Sequence, residues 1–123
     1  MDKEKALFRF WGSFGVDAYD ENDVPANATY PYITFNVSED ALGNVVSLHA
    51  DLWDKNTSWV RVTNLKDTIA QAIGGDNSVT LPLEHGGYIY LCGGTPFAQR
   101  VDDTQTDIKR IYISAQAEFL CAY

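Results

Sequence analysis

The stretch HADLWDKNTSW, residues 49–59, gathers residue types that could do chemistry: His49, Asp51, Asp54, Asn56 and Ser58 place an imidazole, two carboxylates, an amide and a hydroxyl close together in sequence. A zinc site needs three or four Cys, His or carboxylate ligands. His49 and Asp51 alternate and so share one face of a strand, but they supply only two; His85, the other histidine, lies far along the chain in a Gly-rich turn. Asp54, Asn56 and Ser58 imitate the opening of a calcium loop. Trp59, however, stands where the sharp turn needs glycine, and Leu65 where a bidentate Glu is required. No metal site is expected, and Asn56, Thr57 and Ser58 read instead as cap and connection for a helix that follows.

Nucleophilic chemistry lacks its parts as well. WGSFG does not have the order G-x-S-x-G, and neither Cys92 nor Cys121 has a histidine in an evident pairing. The His85-Gly86-Gly87 turn resembles an oxyanion-hole loop without a nucleophile, and CGGTPF has no Lys-Ser/Thr ending for a phosphate loop. Asp102, Asp103 and Asp107 read as a solvated acidic loop. The chain is thus expected to be no enzyme and to hold no cofactor. Both cysteines fall in apolar, strand-like stretches and are expected as reduced, buried thiols. The opening residues lack the apolar run of a secretory signal, so the sequons at Asn27, Asn36 and Asn56 are expected to stay unmodified. No segment approaches a membrane span.

Nine basic residues against seventeen acidic ones leave a net charge of −8. Affinity for nucleic acid comes largely from Lys and Arg neutralising phosphates, so this balance disfavours DNA binding and suits a surface that DNA slides past.

The elements that would position these groups fit one domain over residues 1–123, of a size that buries one core. Residues 3–14 read as a helix with Leu7, Phe8, Trp11 and Phe14 on its apolar stripe and Gly15 to stop it. Residues 16–29, acidic and broken by Pro25, read as a loop or extended arm. YPYITFNV, residues 30–37, alternates as a half-buried strand, and Gly43-Asn44 suits a hairpin turn. Residues 45–54 form the partner strand, with Val46, Leu48, Ala50 and Leu52 on its apolar face. A second helical period runs through Trp59, Val62, Leu65, Ile69, Ala72 and Ile73, ended by Gly74. After a turn-rich stretch, GGYIYLCGG and TPFAQRV read as two further strands. IKRIYISAQAEFLCAY reads as a long strand at the sheet's centre, with Ile111, Ile113, Ala115, Ala117, Phe119 and Cys121 facing one way. The order αββαβββ gives an α+β fold: a mixed or antiparallel sheet of about five strands with two helices on one face.

Tyr19, Tyr30, Tyr32, Trp53 and Tyr88 fall in loops or on outward faces, and large aromatics are enriched where subunits meet. In a chain without a catalytic set they favour work done by contact with other proteins. The ordered set FWGSFGVDAYDENDVP, YPYITFNVSEDALGNVVSLHADLWDKNTSW, GTPFAQRVDD and IKRIYISAQAEFLCAY resembles the tail-terminator or tail-completion proteins of long-tailed phages and prophages, over nearly the whole chain. That resemblance implies one α+β domain without cofactor or catalytic residues, assembling into a homo-oligomeric ring of six subunits. The ring would cap the tail tube protein and join it to the head-tail connector protein, in a virion made in the host cytoplasm. DNA would pass the channel unbound, and no membrane is involved. Contacts are expected at Tyr19, Tyr30, Trp53, Phe97 and Arg100, with Asp102, Asp103 and Asp107 toward the channel or a subunit seam. The alternatives are a head-closure protein on the portal side, or a small non-phage binding module or toxin-like enzyme.

Overall fold

A computed structural model of the chain describes residues 2–37, 45–84, 86–102 and 105–120. The expected Gly43-Asn44 turn, His85, Asp103 and Cys121 lie outside them. Helix α1 spans Asp2–Trp11 and runs into a 3-10 turn, Gly12–Phe14. Gly15 ends this segment at φ 86°, a left-handed conformation that favours glycine. Strands β1 (Asp17–Asp20), β2 (Tyr32–Phe35) and β3 (Val45–Lys55) precede helix α2 (Val60–Ile73). Strands β4 (Ser78–Pro82), β5 (Tyr88–Val101) and β6 (Ile108–Leu120) follow it. They form one six-stranded sheet in the order β1-β2-β3-β6-β5-β4. All its pairs are antiparallel except β1 with β2.

The core follows from strand parity. Ile33 and Phe35, Val46 to Leu52, Ile89 and Leu91, and the odd positions Ile111 to Phe119 all face one side, where both helices pack. Helix α1 touches both edge strands, β1 and β4, because the sheet curls around it. Its inward stripe is Ala6, Leu7, Phe10 and Trp11. Phe8, expected on that stripe, is 41% exposed, although its ring meets Phe35 edge-on at 4.9 Å. Helix α2 buries Val62, Leu65, Ile69 and Ile73, as its spacing predicts.

The α+β class, the two helices on one face and β6 beside the sheet's centre are as read from the sequence, whereas the strand count is six. The arm at 16–29 contains β1, a parallel edge strand that turns only Ala18 and Asp20 toward the helix side. The turn-rich stretch contains β4, whose Val79 and Leu81 face the helices and whose Pro82 is tolerated at an edge. GGYIYLCGG and TPFAQRV are one strand, β5, interrupted where residues 94–97 bulge opposite Ser114. Gly93 is there for close approach: a Cβ on it would lie 2.5 Å from the Ile73 carbonyl oxygen at the end of α2.

Candidate functional site

The groups in HADLWDKNTSW do not converge. His49 Nε2 lies 2.8 Å from Glu21 Oε2 just past β1, and its ring stacks on Tyr112 with centroids 5.5 Å apart. Asp51 is 6% exposed and accepts a hydrogen bond from Arg110 Nε at 2.8 Å. Asp54 occupies an even position and therefore faces the helix side. There it is fully buried and accepts from Arg61 Nε at 3.1 and 3.0 Å and from the same guanidinium's Nη2. These hydrogen bonds raise the Arg61 pKa, desolvation opposes the rise, and the Asp54 charge adds to it. Each carboxylate is thus committed to its own cation. No group of three His, Cys, Asp or Glu able to hold a metal occurs among the described residues. Asn56 Oδ1 accepts from the Ser58 N–H and Ser58 Oγ from the Val60 N–H, local turns that make the expected connection into α2, whereas the N-cap position itself is Trp59, which makes no side-chain cap hydrogen bond. Cys92 is half-buried rather than buried: with Ile89 and Leu91 turned inward, parity puts it on the outer face opposite Gln116.

The sheet face without helices holds a continuous row of side chains. Tyr19 meets Tyr32 at 5.9 Å, Tyr30 meets Tyr32 at 5.1 Å, and Tyr32 stacks on Trp53 at 6.5 Å. The Arg110 guanidinium lies 4.9 Å from the Trp53 ring on the next strand, a cation–π contact, and Trp53 Nε1 donates to Thr34 Oγ1 at 3.0 Å. Registration makes the row: Asp17, Tyr32, Trp53, Arg110 and Val101 lie side by side across five strands. Desolvation raises the Tyr19 pKa, the Asp17 charge adding to it; desolvation likewise raises that of Tyr32, with Tyr30 adding. Tyr88 and Tyr90, 44% and 41% exposed, occupy the other end of this face.

Of the residues singled out in the sequence, Tyr19, Tyr30 and Trp53 are brought together here. Arg100 is exposed at the same end of the sheet but on the helix side, its guanidinium 4.5 Å from the Trp59 ring centroid. Phe97 is half-buried against the core beside Gly93. Asp102 is exposed, while Asp107 is half-buried, with its carbonyl accepting from the Asn56 N–H at 2.8 Å. Arg110, Tyr112 and Glu21 were missed. Alternation in β6 assigns Arg110 and Tyr112 to the outer face from sequence alone, but nothing local pairs Glu21 with His49.

No family model and no curated protein matches the chain. Its fold is shared with a chain of a solved structure described as the virion of a native gene transfer agent particle. The TM-score is 0.65 and the identity 15%, over 96% of this chain and 91% of that one.

Proposed function

We propose that this protein is a non-enzymatic structural component of a virion, a tail terminator that forms a closed ring, caps the tail tube and joins it to the head connector. The observation that carries the reading is the helix-free sheet face. Where an enzyme would gather unpaired acids, bases or nucleophiles, this face carries an aromatic row whose polar groups are satisfied within the chain. Such a surface suits contact with protein. A fold shared with a virion chain over nearly the whole length supports the same reading. Identical subunits joined head to tail close into a ring where the rotation permits, and six is the expected number. Tyr19, Tyr30, Trp53, Phe97 and Arg100 supply contacts. Asp102, Asp103 and Asp107 lie toward the channel or a seam, where carboxylates keep DNA from lingering.

Reconstruction of assembled tails tests the assignment. The expected result is a ring of this chain at the head-proximal end of the tube. A single copy, or a decoration far from the tube's end, overturns it, and a ring seated directly on the portal transfers the assignment to head closure.

A further inference from the structure

Trp59, at the start of α2, holds two cations. The Arg100 guanidinium lies 4.5 Å and the Lys109 ammonium 5.5 Å from its ring centroid. Lys109 also donates to the Thr106 carbonyl at 2.6 Å, which fixes its ammonium in place. Among the described residues no carboxylate lies within ion-pair distance of either cation. Two like charges held over one ring raise each other's energy, and an anion placed between them relieves it. Beside them runs a groove of about 210 Å³, bordered by Thr63, Lys66, Gln99 and Arg100. Lys66 at this groove is paired with Asp67 at 2.6 Å, so in a chain of net charge −8 Arg100 and Lys109 are the groove-side cations without a carboxylate partner among the described residues.

The matching anion is on the chain itself. The tight turn Asp20–Asp23, closed by the Asp23 N–H donating to the Asp20 carbonyl at 2.9 Å, carries the carboxylates of a half-buried Asp20 and an exposed Asp23, with no cation paired to either among the described residues. The turn is held in shape: Asp20 Oδ1 accepts from the Asn22 N–H, the Glu21 N–H donates to the Phe35 carbonyl, and Glu21 is tied to His49. Preorganisation of this kind lowers the cost of binding. The turn cannot reach the cations of its own copy. β2, β3 and β6 separate β1 from β5, about 19 Å along the sheet at the usual strand spacing.

We propose that the Asp20–Asp23 turn of one copy docks on the Arg100–Trp59–Lys109 cluster of the next. The contact is heterologous, since the turn and the cluster are different patches of the same chain, and it repeats from copy to copy. The inference rests on the ring reading above and names the surfaces that join its subunits. It also explains how copies of a strongly acidic protein meet without net repulsion at the seam: the acidic turn faces a pair of cations on its neighbour.

A charge exchange tests it. One variant carries Asp20→Lys and Asp23→Lys, the other Arg100→Glu and Lys109→Glu, and each is compared with the native chain by sedimentation velocity at low salt over a wide concentration range. Each variant alone should self-associate at least about tenfold more weakly than the native chain, a loss of about 1.4 kcal/mol. An equimolar mixture should recover association, because each partner then offers the other an opposite charge. Circular dichroism verifies folding, and Arg100→Gln with Lys109→Gln replaces the second variant if the reversal does not fold. Variants that associate like the native chain, or a mixture that stays monomeric, overturn the pairing. If tail reconstructions still show a ring in that case, the ring stands and only this seam is wrong. Binding of duplex DNA that is lost in Arg100→Glu with Lys109→Glu would also overturn the pairing, reassigning the cations to phosphate.

Discussion

Phe119→Ala probes the sheet's central strand where the core is least able to adapt. The ring is fully buried on β6, opposite Ile89 on β5, and its same-face neighbours along the strand are Ala117 and Ala115. Alanines have no side chain to swing into the space. Truncation therefore leaves most of a cavity of ~100 Å³, worth ~2.4 kcal/mol at ~24 cal/mol per Å³, in addition to ~1.5–3 kcal/mol of lost transfer energy. Lys3, only 8% exposed, holds its ammonium 5.2 Å from the Phe119 ring centroid and loses that contact, a further ~0.5–1 kcal/mol. The expected cost is about 4–6 kcal/mol, read as a lower urea midpoint with an unchanged slope. Gln116→Ala, on the exposed face of the same strand, should cost under about 0.5 kcal/mol. A Phe119→Ala cost below about 2 kcal/mol would refute the reasoning, and equal costs for the two would mean that the register is displaced by one residue.

Gly93→Ala should destabilise by ~1–3 kcal/mol in the same assay, because its Cβ would press on the Ile73 carbonyl oxygen at 2.5 Å and the Phe97 ring at 2.8 Å; a neutral result would mean that α2 does not approach β5 so closely. Glu84 bridges to Lys5 at 3.5 Å and Arg9 at 3.3 Å, and the charge of Lys5 foremost, then the hydrogen bond to it, lowers the Glu84 pKa. Its contribution is therefore full above the unfolded value of about 4.5 and disappears as pH falls through the folded one, so native and Glu84→Gln stabilities should converge in acid and part toward neutrality. Trp53→Ala should weaken tail assembly at least about tenfold while leaving a folded monomer by circular dichroism; unaltered assembly would remove the aromatic row from the contact surface.

The fold was legible wherever alternation was strong. In β3 and β6 every inward residue from Val46 to Leu52 and from Ile111 to Phe119 follows from parity, and α2 follows from its helical spacing. What stayed hidden has physical causes. β1 turns only Ala18 and Asp20 toward the helices, too little apolar pattern to mark a strand, and its parallel partner lies beyond a loop. The Gly93-Gly94 pair looks like a turn in sequence, but one glycine is needed for a helix end and the other for Ser114, so the strand continues through them. Asp54 interrupts an apolar face because Arg61, the second residue of α2, reaches back to it, a pairing that becomes visible only when strand and helix are packed. The aromatic row was half legible. Tyr19, Tyr30 and Trp53 could be marked as outward, but their adjacency depends on the β1-β2-β3-β6 order, which local sequence does not specify.

The two proposed contact regions differ in the force that would hold them, and this makes them separable. On the open face His49 is tied to Glu21, Asp51 to Arg110 and the Trp53 indole to Thr34, so the polar groups are occupied and a partner meets mainly aromatic surface. Burial of such surface depends little on ionic strength. The Asp20–Asp23 turn against Arg100 and Lys109 is instead a contact between charges at the surface, with Asp23 and Arg100 exposed and Asp20 and Lys109 half-buried, and surface charges are screened beyond about 10 Å at 0.1 M salt and about 3 Å at 1 M. Raising salt from 0.05 to 1 M should therefore weaken self-association of the isolated chain while leaving capture by purified tail tubes largely intact, measured by sedimentation and by pull-down in the same buffers. Loss of both together would mean that charge, not the aromatic row, holds the tube. Retention of both would mean that the subunit seam is apolar and lies elsewhere on the chain.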